Sequence, residues 1–229
     1  MTQVRPANAV ISVVLALVAS ATPGIHAEAI TGGYEDDGHP FVAAIIWPGA
    51  GHPTCTGVWT AIGGHRRVVV TDAHCVPRTR GARLRVFFGE RWHSGAHTFS
   101  GRAFRHPAYD AHTHRNDVAV ILLDADPHTT PARLGPPGSA RRSRVTVVGY
   151  GSPHTGTRWR ASEVVTSWST WRLYLRPGSG NSCGGDSGGP DLIPGTAEIV
   201  ALTDEGTCFW DEDTRVDVGS ARTFILGPH

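Results

Sequence analysis

The chain has 229 residues, 40% of them apolar and 18% charged, with a formal charge of +1 at pH 7. That length and apolar content exclude a disordered chain and fit one compact unit of two lobes or two small domains. The near-neutral balance excludes a broad basic field for nucleic acid, so partners must be argued from local sites.

The first feature in chain order is Arg5 followed by the apolar run Ala9–Ala19 and then by small residues. This is the layout of a secretory signal peptide. The run is too short for a membrane anchor, which needs about 20 apolar residues, so the protein is expected outside the cell. Two A-x-A cleavage sites are present, Ala19-Ser20-Ala21 and Ala27-Glu28-Ala29. A cut at the second leaves Ile30 as the new N-terminus, and a cut at the first leaves a short propeptide. Residues 1–29 are therefore assigned to targeting and processing, and 30–229 to the functional domain. Export into an oxidising compartment implies two disulfides among Cys55, Cys75, Cys183 and Cys208, and spacing alone leaves all three pairings open.

Beyond residue 30, strand-length apolar runs alternate with turns: Phe41–Trp47, Val68–Thr71, Leu84–Phe88, Val118–Leu123, Val145–Val148, Val164–Thr170 and Glu198–Leu202. Their Val and Ile content, with 28 Gly and 16 Pro between them, predicts an all-β protein. Leu134-Gly135-Pro136-Pro137-Gly138 cannot continue a ladder and reads as the linker between two β lobes, at about 30–135 and 139–229. Ser220–Leu226 predicts a short C-terminal helix.

Cys183-Gly184-Gly185-Asp186-Ser187-Gly188-Gly189-Pro190 surrounds one serine with glycines. By itself this could be a surface turn. Glycines also let successive N–H groups converge on one anion, and a serine hydroxyl becomes a nucleophile only beside a base. Thr71-Asp72-Ala73-His74-Cys75 supplies an imidazole, and Asp117 opens the apolar run that follows Asn116. His74 as a packed core histidine, and Asp110, Asp124 or Asp126 as the partner acid, are the rival readings.

With these motifs in the order His, Asp, Ser, the chain from Ile30 onward resembles the trypsin/chymotrypsin-type serine proteases, in particular secreted bacterial members. Ile30-Thr31-Gly32-Gly33 resembles their mature N-terminus, Val147–Gly151 a strand of their second lobe, and Thr214–Val218 with Ser220–Leu226 their C-terminal end. The resemblance implies two Greek-key antiparallel β-barrels with the active site in the cleft between them. It makes His74 the general base, Asp117 its orienting carboxylate, Ser187 the nucleophile, and the Gly185 and Ser187 N–H groups the oxyanion hole. It implies the pairings Cys55–Cys75 and Cys183–Cys208, and an activating ion pair between the α-ammonium of Ile30 and Asp186, so that an uncut chain would be a zymogen. No cofactor is implied. Expected partners are protein or peptide substrates and protein inhibitors, and the protein is expected to be a monomer.

The pocket is where the pattern departs from the family. Asn181, six residues before Ser187, stands at the expected pocket floor, and Asp211 falls where a pocket glycine is usual. Six of the 20 acidic residues lie between Asp204 and Asp217. They read either as a solvated acidic loop or, through Asp211, as a preference for a basic residue before the scissile bond. Ala201-Leu202-Thr203 is read as the pocket wall, with Thr203 narrowing the entrance and Ala201 unable to support Asp117 by a side-chain hydrogen bond. Asp72 replaces a usual alanine and, if buried, needs a partner. His106, His112 and His114 lie close together without metal-ligand spacing, so no metal is expected. The alternative class is a protease-like binding protein without turnover.

Overall fold

The computed structural model describes residues 30–62, 65–152 and 154–229; the apolar N-terminal run and both cleavage sites lie outside them. Among the described residues no helix is long and apolar enough to cross a membrane. A two-residue strand, β1 (Tyr34–Glu35), precedes β2 (Val42–Ile46), β3 (Cys55–Ile62), β4 (His65–Thr71), β5 (Ala82–Phe88), β6 (Phe99–Arg105) and β7 (Ala119–Leu123). β2 to β7 close into an antiparallel barrel in the order β2-β3-β4-β7-β6-β5. After the short β8 (Arg133–Leu134) come β9 (Arg144–Gly149), β10 (Trp159–Trp168), β11 (Arg172–Pro177), β12 (Pro190–Leu192), β13 (Glu198–Gly206) and β14 (Asp211–Arg215). They run β10-β11-β14-β13-β12-β9, and the β9–β10 pairing closes the ring. The same order of strands thus occurs twice; the all-β expectation of two antiparallel barrels holds, and each barrel has six strands.

β-branched runs build the first barrel: Val68-Val69-Val70 of β4 pairs with Val120-Ile121-Leu122 of β7. All five residues of β2 are buried, as expected for a strand facing its own barrel on one side and the neighbouring lobe on the other. Several of the strands that periodicity failed to find place glycine or polar residues at buried positions. β6 crosses Gly101, where a Cβ would strike Ile121 and Leu122, and β14 buries Asp211, Asp213, Thr214 and Arg215. β3 carries Thr56 and Thr60 as fully buried polar residues.

The two barrels are joined by polar anchors as well as apolar packing. The hydroxyl of Tyr150, just after β9, donates to Gly89 O and lies 3.2 Å from Val42 O, and it accepts from Arg158, whose Nε donates to the buried Asp36 at 2.7 Å. A core cluster rooted in the first barrel continues into Val148, Leu192, Ile199 and Leu202 of the second, while a separate cluster around Ile30, Val147, Leu173 and Val200 fills the second barrel. The helix α1 (Gly219–Leu226) buries Ala221 and Ile225 against the first cluster, one residue longer than the sequence suggests. Leu134 of the expected linker lies in β8, which pairs parallel to β13.

Candidate active site

Each expected catalytic side chain sits at a strand end facing the other barrel. His74 follows β4 in a turn, Asp117 precedes β7 by two residues, and Ser187 lies three residues before β12. Asn116 takes a left-handed backbone with φ 58°, a conformation asparagine tolerates better than most residues, and the next residue, Asp117, is turned inward and fully buried.

His74 and Asp117 meet twice. The backbone N–H of His74 donates to Oδ1 at 2.9 Å, and its Nδ1 lies 3.0 Å from Oδ2. Burial alone would raise the Asp117 carboxyl, but these two hydrogen bonds and the charges of His74 and His114 outweigh it and hold the group below the usual aspartate range. The rivals are elsewhere: Asp110 holds its own turn through His112 and Thr113, and Asp124 pairs with Arg83 at the surface. Asp126 bonds the His128 N–H.

Thr56 anchors the turn that carries Ser187. The Thr56 N–H donates to Ser187 O at 2.9 Å, and its hydroxyl donates to Gly185 O at 3.0 Å while accepting the Tyr150 N–H at 3.0 Å. Cys75 Sγ, bonded to Cys55, lies 3.7 Å from His74 Nε2 and 3.4 Å from Ser187 O, so both residues flank one disulfide. Among the described residues no hydrogen bond joins Ser187 to His74, and the N–H groups of Gly185 and Ser187 have no protein acceptor. Gly185 has φ +99°, and its missing Cβ would lie 2.9 Å from Gly151 Cα; Gly188 has φ +80° and would drive a Cβ into Thr71 and Thr56. These two glycines are needed for fit as well as for backbone freedom.

Ile30 and Asp186 are both buried and adjacent. The Asp186 carboxylate accepts from Gly151 N–H at 2.8 Å and Cys183 N–H at 2.9 Å. Burial pushes it up to about 6 against these bonds and the backbone N–H of Ile30. Thr31 and Asn181 exchange backbone hydrogen bonds at 2.9 and 3.1 Å, which ties the segment after Ile30 to the expected pocket floor. There Asn181 Nδ2 donates to Asp211 Oδ2 at 2.7 Å, leaving Oδ1 buried without a partner. Cys183 and Cys208 form the second disulfide.

The Thr203 N–H donates to Gly189 O at 2.9 Å and its carbonyl accepts the Gly188 N–H at 2.7 Å, so its backbone braces the serine turn. Ala201 packs in the second-barrel core. The residue beside the His74–Asp117 pair is Asp204, whose Oδ1 lies 3.8 Å from His74 Nδ1 and 2.9 Å from His114 Nδ1. The irregular register between Leu202 and Glu205 sets this placement. Nor are the acids from Asp204 to Asp217 a solvated loop, because Asp204, Asp211, Asp213 and Asp217 are buried.

The sequence also gave no hint of Arg172. Its guanidinium is almost fully buried, donates to Asp204 Oδ2 at 2.7 Å and to Glu212 O at 2.6 Å, and stacks on Trp171. Nothing in Thr170-Trp171-Arg172-Leu173 distinguishes it from a surface arginine. Asp204 left a weak signal, its position four residues before Cys208. Asp72 is fully buried and neither carboxylate oxygen has a partner; burial, then the charges of Asp117 and Asp204, push it well above the ordinary aspartate range.

The sequence profile of the Trypsin family matches residues 30–208, a span that contains His74, Asp117, Ser187 and Asp204 but not Asp211. The chain belongs to the trypsin family. It is 32% identical over 145 residues to Trypsin epsilon of Drosophila erecta, covering 62% of this chain, and spans about half (49%) of that relative. Trypsin of Saccharopolyspora erythraea is 27% identical over 192 residues, with 73% of this chain and 82% of that one covered. The atomic-resolution structure of HBP superposes with a TM-score of 0.69 at 22% identity, covering 87% of this chain and 98% of that one, a likeness of fold. In this trypsin-family chain a carboxylate, Asp204, packs against the histidine–aspartate pair, and Asn181 and Asp211 form an amide–carboxylate pair.

Proposed function

We propose that the chain is a secreted serine endopeptidase, processed to begin at Ile30, that hydrolyses peptide bonds through an acyl-enzyme. His74 takes the proton of Ser187 as the hydroxyl attacks the scissile carbonyl and returns it to the leaving amine. Asp117 fixes the imidazole tautomer and stabilises the imidazolium, and the Gly185 and Ser187 N–H groups bind the oxyanion. The observation that carries this reading is the double contact of Asp117 with His74, at 2.9 and 3.0 Å, beside a Ser187 whose turn Thr56 anchors. We also propose residues 30–229 as the protease domain, acting as a monomer on protein or peptide substrates. The Asp211 carboxyl paired with Asn181 at the expected pocket floor supports a preference for Arg or Lys before the scissile bond.

A second reading, a binding protein without turnover, is favoured by the missing Ser187–His74 hydrogen bond and by the acids crowded round His74. A fluorophosphonate probe separates the two. The endopeptidase reading expects stoichiometric labelling of a chain beginning at Ile30, lost in Ser187→Ala and His74→Ala. An unlabelled but folded chain favours the binding protein.

A further inference from the structure

We propose that the chain binds one Zn2+ between His74, His114, Asp117 and Asp204, and that the ion switches the active site off. Nδ1 of His74 lies 3.0 Å from Asp117 Oδ2 and 3.8 Å from Asp204 Oδ1, and Nδ1 of His114 lies 3.3 and 2.9 Å from the same two oxygens. One ligand atom from each of the four residues lies within 4.8 Å of the other three. A tetrahedral zinc with bonds of about 2.0–2.2 Å to N and O holds its ligand atoms roughly 3.3–3.4 Å apart, so the four N–O separations need only sub-ångström adjustment. Two imidazoles and two carboxylates make a donor set zinc accepts. The other group of close donors, Cys55, His74 and Cys75, is excluded because both sulfurs are in a disulfide.

The atoms facing away from this centre already have partners, as metal ligands require. His114 Nε2 lies 3.4 Å from Glu205 Oε1. Asp204 Oδ2 accepts from Arg172 at 2.7 Å and from the Thr214 hydroxyl at 2.9 Å, and Asp117 Oδ1 accepts the His74 backbone N–H. The carboxylates are wholly buried while the His74 and His114 side chains are 31% and 23% exposed, so an ion enters between the rings. Asp72, fully buried with both oxygens unpartnered, brings Oδ2 to 4.0 Å from His74 Nδ1. A divalent cation here adds positive charge beside three carboxyls, Asp72, Asp117 and Asp204, that are buried together.

The effect on catalysis rests on the proposed role of His74, whereas the binding does not. Zinc takes the Nδ1 lone pair, the ring proton moves to Nε2, and an imidazole protonated at Nε2 cannot accept the Ser187 proton. Asp117 is withdrawn from its orienting role at the same time.

The test uses tag-free protein and Co2+, whose tetrahedral complexes absorb strongly in the visible, with Zn2+ as competitor. His114→Asn removes one imidazole and suits the left-handed backbone at this position, φ 52°. The expected result is one tetrahedral Co2+ per chain, displaced by Zn2+, with affinity for both ions at least about tenfold weaker in His114→Asn, the scale on which metal-site contacts act. Fluorophosphonate labelling should stop with Zn2+, recover with EDTA, and need at least about tenfold more Zn2+ in His114→Asn. No tetrahedral spectrum, or equal affinity in the variant, overturns the site. Tetrahedral binding that His114→Asn weakens, in a chain that never labels even without metal, supports the site while refuting the endopeptidase reading.

Discussion

Thr56 makes the strongest single demand on the site, because one buried side chain and its own backbone hold Ser187, Gly185 and Tyr150. Thr56→Val keeps the shape but strands the Gly185 carbonyl and the Tyr150 N–H, and a buried group left unpaired costs about 1–3 kcal/mol. Urea unfolding should show that loss, with a slower fluorophosphonate reaction in the surviving fold. Asp117→Asn should leave the fold intact and lower kcat/KM by about 10⁴-fold, the scale for turning this carboxylate into an amide. His74, Asp117 and Ser187 were legible because the chemistry needs those side-chain types and short motifs carry them. Asp204 and Arg172 were not: their roles depend on register across β13 and on two strands meeting, which no local pattern encodes.

Among the elements, the serine turn and the segment after Ile30 behave as one unit, linked through Asp186 and the Thr31–Asn181 pairing. In the uncut chain the Asp186 carboxyl is raised to about 6 by burial, so the folded state binds its proton more tightly than the unfolded one. Its favourable contribution is present at low pH and is lost as pH rises from about 4 through 6. A chain beginning at Ile30 places an α-ammonium beside the carboxylate. Its melting temperature at pH 8 should therefore exceed that of the uncut chain, with the gap closing towards pH 5. Equal melting temperatures at pH 8 would show that the ammonium does not reach Asp186. β4 and β7 were legible from their β-branched runs, whereas β14 was hidden because acids take the positions that aliphatic residues fill elsewhere.

Across the whole molecule, the second barrel is built around carboxyls. Burial is the leading cause that raises Glu163 and Asp213 well above their ordinary range, Asp191 to about 7 and Asp211 to about 6. Each favours the protonated folded state, so stability should fall as pH rises from 5 to 8. Asp36 and Asp117, both lowered, act only as pH falls below about 4. Thermal melts at pH 5, 6.5 and 8 check this, and Asp191→Asn should flatten the decline; a melting temperature that rises across that range contradicts it. The repeated strand order was not legible as such, because two barrels of one topology share it without any repeat in sequence. The linker and the alternation of runs and turns gave only the two lobes.

Turnover requires residues from two barrels to act as one chemical unit. Mixing the chain that begins at Ile30 with a p-nitrophenyl ester measures this directly. The prediction is a rapid burst of one p-nitrophenolate per chain, abolished in Ser187→Ala and strongly slowed in Asp117→Asn. A folded chain that gives no burst, or one that persists in Ser187→Ala, would contradict it.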